Sequence, residues 1–261
     1  MLTEWALHHQ FRIAFRATCP YKETMNTSIT KRLTTLNWDG IAAQIDDIGY
    51  GRAPGLLGSD ECAGLIELYD QEQLFRTTIN MARYRFGEGQ YRYFDNPLPS
   101  LVTELRQALY GHLAPIANDM AAKLPGNEHY PDSHAAYQQI CHDAGQTKPT
   151  PLLLRYEAGG YNRLHQDLYG DLHFPLQAVI LLSRPEADFT GGEFMLVEQQ
   201  PRAQSIGQTI NLGQGEILIF PVRERPIQGK RGHFRAPMRH GVSRLHTGLR
   251  YTLGVIFHDA A

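Results

Sequence analysis

Cysteine is scarce in this chain, and none of it is arranged for pairing. Cys19, Cys62 and Cys141 are odd in number and widely spaced, with no CxxC pair. That argues against a disulfide framework or a zinc knuckle and fits a reducing compartment. Long apolar runs are missing as well. Trp5-Ala6-Leu7 is broken by His8 and His9, and Arg12 and Arg16 follow. The opening segment therefore reads as neither signal peptide nor membrane span, and a soluble, cytoplasmic protein is expected. There is no bulk excess of one charge. A net charge of -2 over 261 residues excludes a polycation, so a polyanionic partner would need a local basic patch. No internal repeat or low-complexity segment occurs. With 42% hydrophobic and 20% charged residues the chain is of ordinary globular type, long enough for one large domain or a core with a helical extension.

Residues 1–35 are weakly patterned and read as a leader, with Met25 as an alternative start. Apolar residues at helical spacing begin at Trp38 and run to Ile48. Glycines and Pro54 then mark a turn, and Ser59 is placed to cap a helix through Leu65, Ile66 and Tyr69. Leu101–Leu124 is a further helical stretch that Pro115 is expected to interrupt or kink. Residues 125–149, rich in Pro, Gly, Asn and His, read as a connecting loop. The segment 36–150 is thus expected to be a mainly helical support. From Pro151 the pattern changes to short β-type runs at Leu152–Tyr156, Gln177–Leu182, Glu193–Val197, Ile206–Leu212, Glu216–Phe220 and Arg250–Phe257. Regularly spaced strands with Gly-bearing turns suggest a sandwich or barrel over 151–261. The expected class is α+β: a jelly-roll barrel buttressed by N-terminal helices, forming one compact unit.

The chemistry concentrates in His165-Gln166-Asp167 and the later His240 and Arg250. On a strand, residues two apart point to one side, so His165 and Asp167 can reach one ion while Gln166 turns away. Candidates for a third ligand are His173, His233, His240, His246 and His258. Four residues of extended chain span roughly 13 Å, so His246 could share a site with Arg250 only through a sharp turn. His240 fits better, because a strand ending near Val242 can turn through His246-Thr247-Gly248 and bring Arg250 back on its neighbour. Two histidines and a carboxylate on one face of an octahedron leave positions open, which suits non-haem Fe(II) oxygen chemistry.

At these residues the chain resembles the Fe(II)/2-oxoglutarate-dependent dioxygenases, whose catalytic fold is a double-stranded β-helix of the jelly-roll, cupin-like kind. Tyr156-Glu157-Ala158-Gly159 ahead of His165-Gln166-Asp167 looks like the first-ligand segment of prolyl-hydroxylase-type enzymes and of AlkB-type nucleic acid demethylases. Gly191-Gly192-Glu193-Phe194, Gly215–Phe220 and the spacing from His240 to Arg250 resemble the hydroxylase branch. AlkB proteins carry Asn where this chain has Leu154 and a pair of arginines where Arg250 stands alone, so the cofactor pocket is nearer the hydroxylase type. A bacterial group suggested to act on alkylated nucleic acid is more similar still. It shares His165–Gly170, Phe189–Phe194, Phe257-His258-Asp259-Ala260 and, in the N-terminal half, Cys141–Gln146.

The resemblance implies Fe(II) held by His165, Asp167 and His240, with 2-oxoglutarate and O2 in the open positions. Arg250 would grip the distal carboxylate of 2-oxoglutarate as a two-point pair, with Tyr156 donating to it and Thr252 lining the pocket. Oxidative decarboxylation of 2-oxoglutarate would then be coupled to C–H hydroxylation. Three substrate readings follow. Oxidative demethylation of alkylated nucleic acid is supported by the basic loop 223–244, where Arg223, Arg225, Lys230, Arg231, Arg235, Arg239 and Arg244 are expected at the mouth of the site. Tyr161, Tyr169, Phe174 and Phe234 could stack a flipped base. Hydroxylation of a protein or amino acid side chain is supported by the Gly191-Gly192-Glu193 turn. A non-catalytic sensor of iron or 2-oxoglutarate is the third.

Overall fold

The computed structural model describes residues 28–126 and 128–261. Residues 1–27 of the expected leader lie outside the described residues, and with them Met25 and Cys19. Helix α1 (Ile29–Thr34) follows, then α2 (Trp38–Ile48), capped by the Asn37 side chain and ended by Gly49 at φ 84°. Strand β1 (Gly51–Ala53) leads to α3 (Ser59–Glu67). Its N-cap is Gly58 rather than Ser59; the Glu61 carboxylate accepts from the Gly58 backbone N–H at 2.8 Å. Strands β2 (Phe75–Asn80), β3 (Gly87–Glu88) and β4 (Gln90–Phe94) come next, then α4 (Ser100–Ala122) and α5 (His134–Asp143). Helix α4 runs through Pro115 without ending, and α5 occupies the stretch expected to be a loop.

The remaining strands are β5 (Leu152–Glu157), β6 (Tyr161–His165), β7 (Leu176–Leu181), β8 (Phe189–Gly191), β9 (Phe194–Glu198), β10 (Ile206–Ile210), β11 (Ile217–Pro221), β12 (Glu224–Gly229), β13 (Gly232–Val242) and β14 (Leu245–Val255). They form two antiparallel sheets. The eight-stranded sheet has the order β1-β11-β7-β14-β5-β4-β2, with β8 on the start of β14. The six-stranded sheet runs β10-β9-β13-β6-β3, with β12 on the start of β13.

The α+β class holds, but the expected closed barrel does not form. Among the described residues neither sheet closes on itself: the larger ends at β1 and β2, the smaller at β10 and β3. Closure needs the outermost strands of a sheet to pair with each other. Here the N-terminal half widens the larger sheet at both edges, with β1 on β11 and the β2–β4 hairpin on β5. The strands therefore pack as two open layers, with no jelly-roll closure.

Period-two alternation sorts the side chains of the larger sheet. Leu153, Ala178, Ile180, Ile217, Ile219, Leu253 and Val255 face the helices and join a core with Leu105, Leu109, Leu113 and Tyr110 of α4. Val179, Leu181, Leu218, Phe220 and Tyr156 face the smaller sheet and meet Phe194, Leu196, Met238 and Val242. Each fully buried aliphatic side chain here contributes about 1.5–3 kcal/mol. No described helix is long and apolar enough to cross a membrane.

Candidate metal centre and cofactor pocket

His165 ends β6, and His240 stands directly opposite it on β13 as its register partner. Antiparallel pairing thus joins residues far apart in sequence, with ring centroids 4.2 Å apart. Asp167 follows two residues after His165 and faces the Nε2 atoms of both rings. Its Oδ1 is 3.3 Å from His165 Nε2 and its Oδ2 3.2 Å from His240 Nε2. One ligand atom from each of the three residues lies within 4.8 Å of the others. His165, Asp167 and His240 are brought together as the sequence reading expected; His246 is exposed on β14 and outside the cluster.

The surroundings suit a divalent cation. Burial opposes protonation of His165, but the hydrogen bond and charge of Asp167 prevail and raise its pKa. Nδ1 lies 2.7 Å from the Arg163 carbonyl, which can only accept, so Nδ1 keeps its proton and Nε2 is the nitrogen that ligates once deprotonated. Burial, reinforced by His165 nearby, lowers the pKa of His240 and favours its neutral, ligating form. Burial also opposes ionisation of Asp167, but the two imidazoles beside it prevail and hold its carboxyl well below the usual range. Phe220 and Phe194 flank the His240 ring at 4.8 and 5.8 Å.

The cluster opens into a chamber of about 430 Å³ whose walls include Tyr156, Arg250 and Thr252. Arg250 and Tyr156 are register partners on β14 and β5, and Thr252 stands one inward position further along β14. Arg250 is 2% exposed, and its Nε and Nη1 have no hydrogen-bond partner among the described residues; nor has the Tyr156 hydroxyl. Burial pushes the guanidinium down to about 10, so it stays charged at neutral pH. A buried cation beside an unbonded phenol is incomplete without an anion, and a carboxylate fits both. Two glycines make room for the pair. A Cβ at Gly89 would stand 2.8 Å from Tyr156, and one at Gly192, where φ is 65°, would meet Leu245 and stand 3.0 Å from Arg250.

Sequence reasoning missed two neighbours of the cluster. Tyr169 donates to Asp167 Oδ1 at 2.7 Å, and Gln177 Nε2 donates to Asp167 Oδ2 at 2.9 Å. Gln177 was the legible one, as the single amide in the otherwise apolar run of β7. Gln166 has its amide bonded to the backbone of Arg223 and Met238, which ties the first-ligand segment to β13.

The basic loop is a hairpin, β12–β13, and its cations do not line the chamber; from residues 223–244 only His240, Gly241 and Val242 do. Arg225 is buried, paired with Glu198 at 2.6 Å and bonded to the Asp46 carbonyl. Arg235 is tied to Glu224 and the Pro125 carbonyl. Of the aromatics expected to stack a base, Tyr169 lines the chamber, Phe174 is fully buried in the helix-side core and Tyr161 lies under Arg244. The mouth is formed instead by Arg85, Phe86, Arg163, Leu164 and Leu168.

Residues 89–260 match the family described as an oxygenase catalysing oxidative methylation of damaged DNA. The chain belongs to this oxygenase family. Two relatives of the oxygenase from strains of Mycobacterium tuberculosis, both uncharacterized proteins, are 52% identical over 168 residues, covering 64% of this chain and 72% of theirs. The fold is shared with solved structures of far lower identity. A Pseudomonas putida prolyl-4-hydroxylase superposes with TM-score 0.53 at 15% identity, covering 86% of the oxygenase and 100% of that chain. A 2OG-Fe(II) oxygenase family protein of Burkholderia pseudomallei gives 0.50 at 17% identity, covering 87% and 93%. The epimerase SnoN from nogalamycin biosynthesis gives 0.53 at 15%, covering 84% and 81%. Family, fold and the His/Asp/His cluster together make this an enzyme of the Fe(II)/2-oxoglutarate-dependent superfamily.

Proposed function

We propose that the oxygenase holds Fe(II) with His165, Asp167 and His240 and binds 2-oxoglutarate with its distal carboxylate on Arg250 and Tyr156, beside Thr252. The observation that carries this is the buried guanidinium of Arg250, in the same chamber as the cluster, whose Nε and Nη1 have no partner among the described residues. When bound, iron with 2-oxoglutarate and O2 supplies the oxidising power for C–H hydroxylation, yielding succinate and CO2. The chain's own part is to fix the carboxylate end, aim the ligating nitrogens of His165 and His240 and enclose the site in apolar walls that exclude water. An intact cluster and an intact anion site favour an enzyme over a non-catalytic sensor.

The substrate we infer is a protein or amino acid side chain. The single arginine on β14, the Gly191-Gly192-Glu193 turn beside it and the withdrawal of the basic hairpin from the chamber support this over the nucleic acid reading. A prolyl-4-hydroxylase among the fold neighbours is in keeping with it. Oxidative demethylation of alkylated nucleic acid is the second reading. It draws on the family description and on Arg85, Arg163 and the exposed Phe86 at the mouth.

The test is succinate release with Fe(II), 2-oxoglutarate and O2. Substrate-independent succinate is expected from the wild type, abolished in His240→Ala and largely spared in His246→Ala. The reverse pattern would overturn the ligand assignment. Formaldehyde released stoichiometrically from N-methylated oligonucleotide, and not from the unmethylated strand, would replace the side-chain reading with the second one.

A further inference from the structure

Gln177 is a costly residue where it stands. It is 4% exposed on β7, where Leu176, Ala178, Val179, Ile180 and Leu181 are also buried, and its Oε1 has no partner among the described residues. Burying an unsatisfied amide oxygen works against the fold, so a leucine of similar size would serve the core better. What the amide does engage is the metal cluster: Nε2 lies 2.9 Å from Asp167 Oδ2 and 3.3 Å from His240 Nε2. Tyr169 completes the arrangement from the other side, 2.7 Å from Asp167 Oδ1. Each oxygen of the carboxylate thus has its own donor, one from β7 and one from the segment after β6.

We propose that Gln177 and Tyr169 are positioning residues that fix the plane of the Asp167 carboxylate so that it offers one oxygen to the metal. A carboxylate free to turn can present both oxygens to an ion and fill a position that a two-point ligand needs. With both oxygens already accepting, that rotation breaks a hydrogen bond whichever way it goes. The two donors therefore keep coordination sites open for 2-oxoglutarate and O2, and they raise metal affinity by orienting the ligand beforehand. This rests on the proposed ligand assignment.

The test uses the full chain without oxygen or turnover: titration with Co(II), then with 2-oxoglutarate, followed by the ligand-field absorption of the bound ion. Gln177→Leu is expected to bind Co(II) about 10–100-fold more weakly, while its thermal midpoint is unchanged or higher. Tyr169→Phe should weaken binding in the same direction, and keeps the test sound if Gln177→Leu folds poorly. In both variants the spectral response to 2-oxoglutarate should shrink. A purely structural amide would give the opposite pattern, a lower midpoint with wild-type metal affinity, and that result would overturn the proposal. Asp167→Ala separates the two levels of inference. If it retains wild-type Co(II) affinity, the ligand assignment itself fails; if it loses binding while both positioning variants keep it, only the present proposal does.

Discussion

A charged guanidinium with two nitrogens unbonded in a nearly inaccessible position works against the stability of the protein that carries it. Arg250 is such a residue, and its pKa, lowered by burial to about 10, reflects the same penalty. The consequence is a trade between stability and binding. Arg250→Met should make the ligand-free protein more stable, by about 1–4 kcal/mol if it behaves like other buried charges replaced by apolar residues. The same change should weaken 2-oxoglutarate by at least about 30-fold, since truncating a buried charge partner costs roughly 2–5 kcal/mol. Calorimetric melting with and without 2-oxoglutarate checks both halves. The wild type should gain stability on adding the ligand, and Arg250→Met should start higher and gain little. A variant less stable than wild type without ligand would show that the chain itself satisfies Arg250.

At the scale of elements, the turn between β8 and β9 is what lets β14 deliver Arg250. Gly192 sits at φ 65°, and a side chain there would press on Leu245 and Arg250. In Gly192→Ala the left-handed backbone alone costs about 1–2 kcal/mol, and the guanidinium has to move. Binding of 2-oxoglutarate should weaken by about tenfold or more, corresponding to about 1.4 kcal/mol, while Co(II) affinity stays at the wild-type level, because the turn bonds Ser243 and Arg244, past the end of β13, and not the ligand residues. Equal loss of both would mean that the turn supports the whole site. The Gly-Gly pair was legible in the sequence, as were His165, Asp167 and His240 from H-x-D and the offset to Arg250, but not by the strand alternation expected: β6 ends at His165, and Asp167 reaches the cluster from the segment after it. Helix α5 was not legible. Its buried residues His134, Tyr137 and Cys141 are few and include a histidine, so the segment reads as polar. Strands β2–β4 carry a mixed face of half-buried residues with no clean alternation, and β6 has no buried residue before His165. Openness of the sheets was beyond reach for a different reason. It depends on which strand takes each edge, and β1 and β2 reach those edges only through pairing within the folded chain.

Over the whole molecule, two motifs outside the active site turn out to be one structure. Arg106 of α4, itself buried, bonds the Ile256 carbonyl at 2.8 Å and Asp259 at 2.7 Å, and Asp259 also accepts from Gln138 and His142. Gln146 bonds the Asp259 carbonyl, and His134 Nε2 donates to the Phe257 carbonyl at 2.9 Å. The Cys141–Gln146 and Phe257–Ala260 segments therefore lock the helical layer onto the end of β14, the strand that carries Arg250. Asp259→Asn, which leaves Arg106 buried without a counter-charge, should cost about 3–5 kcal/mol in urea unfolding. The same interface sets an acid limit. Burial lowers His134 to about 4 and His258 to about 3, against ordinary values of 6.5. Below pH 6.5 the unfolded chain takes up protons at these positions that the folded chain refuses, so stability is full above that pH and falls as pH drops toward 4. Each histidine contributes a slope approaching about 1.4 kcal/mol per pH unit, or roughly 3 kcal/mol for His134 by pH 4. His134→Gln, which cannot titrate, should flatten the dependence of unfolding free energy on pH between 6.5 and 4. An unchanged slope in that variant would mean that His134 takes up its proton alike in the folded and the unfolded chain, so that burial does not hold it neutral.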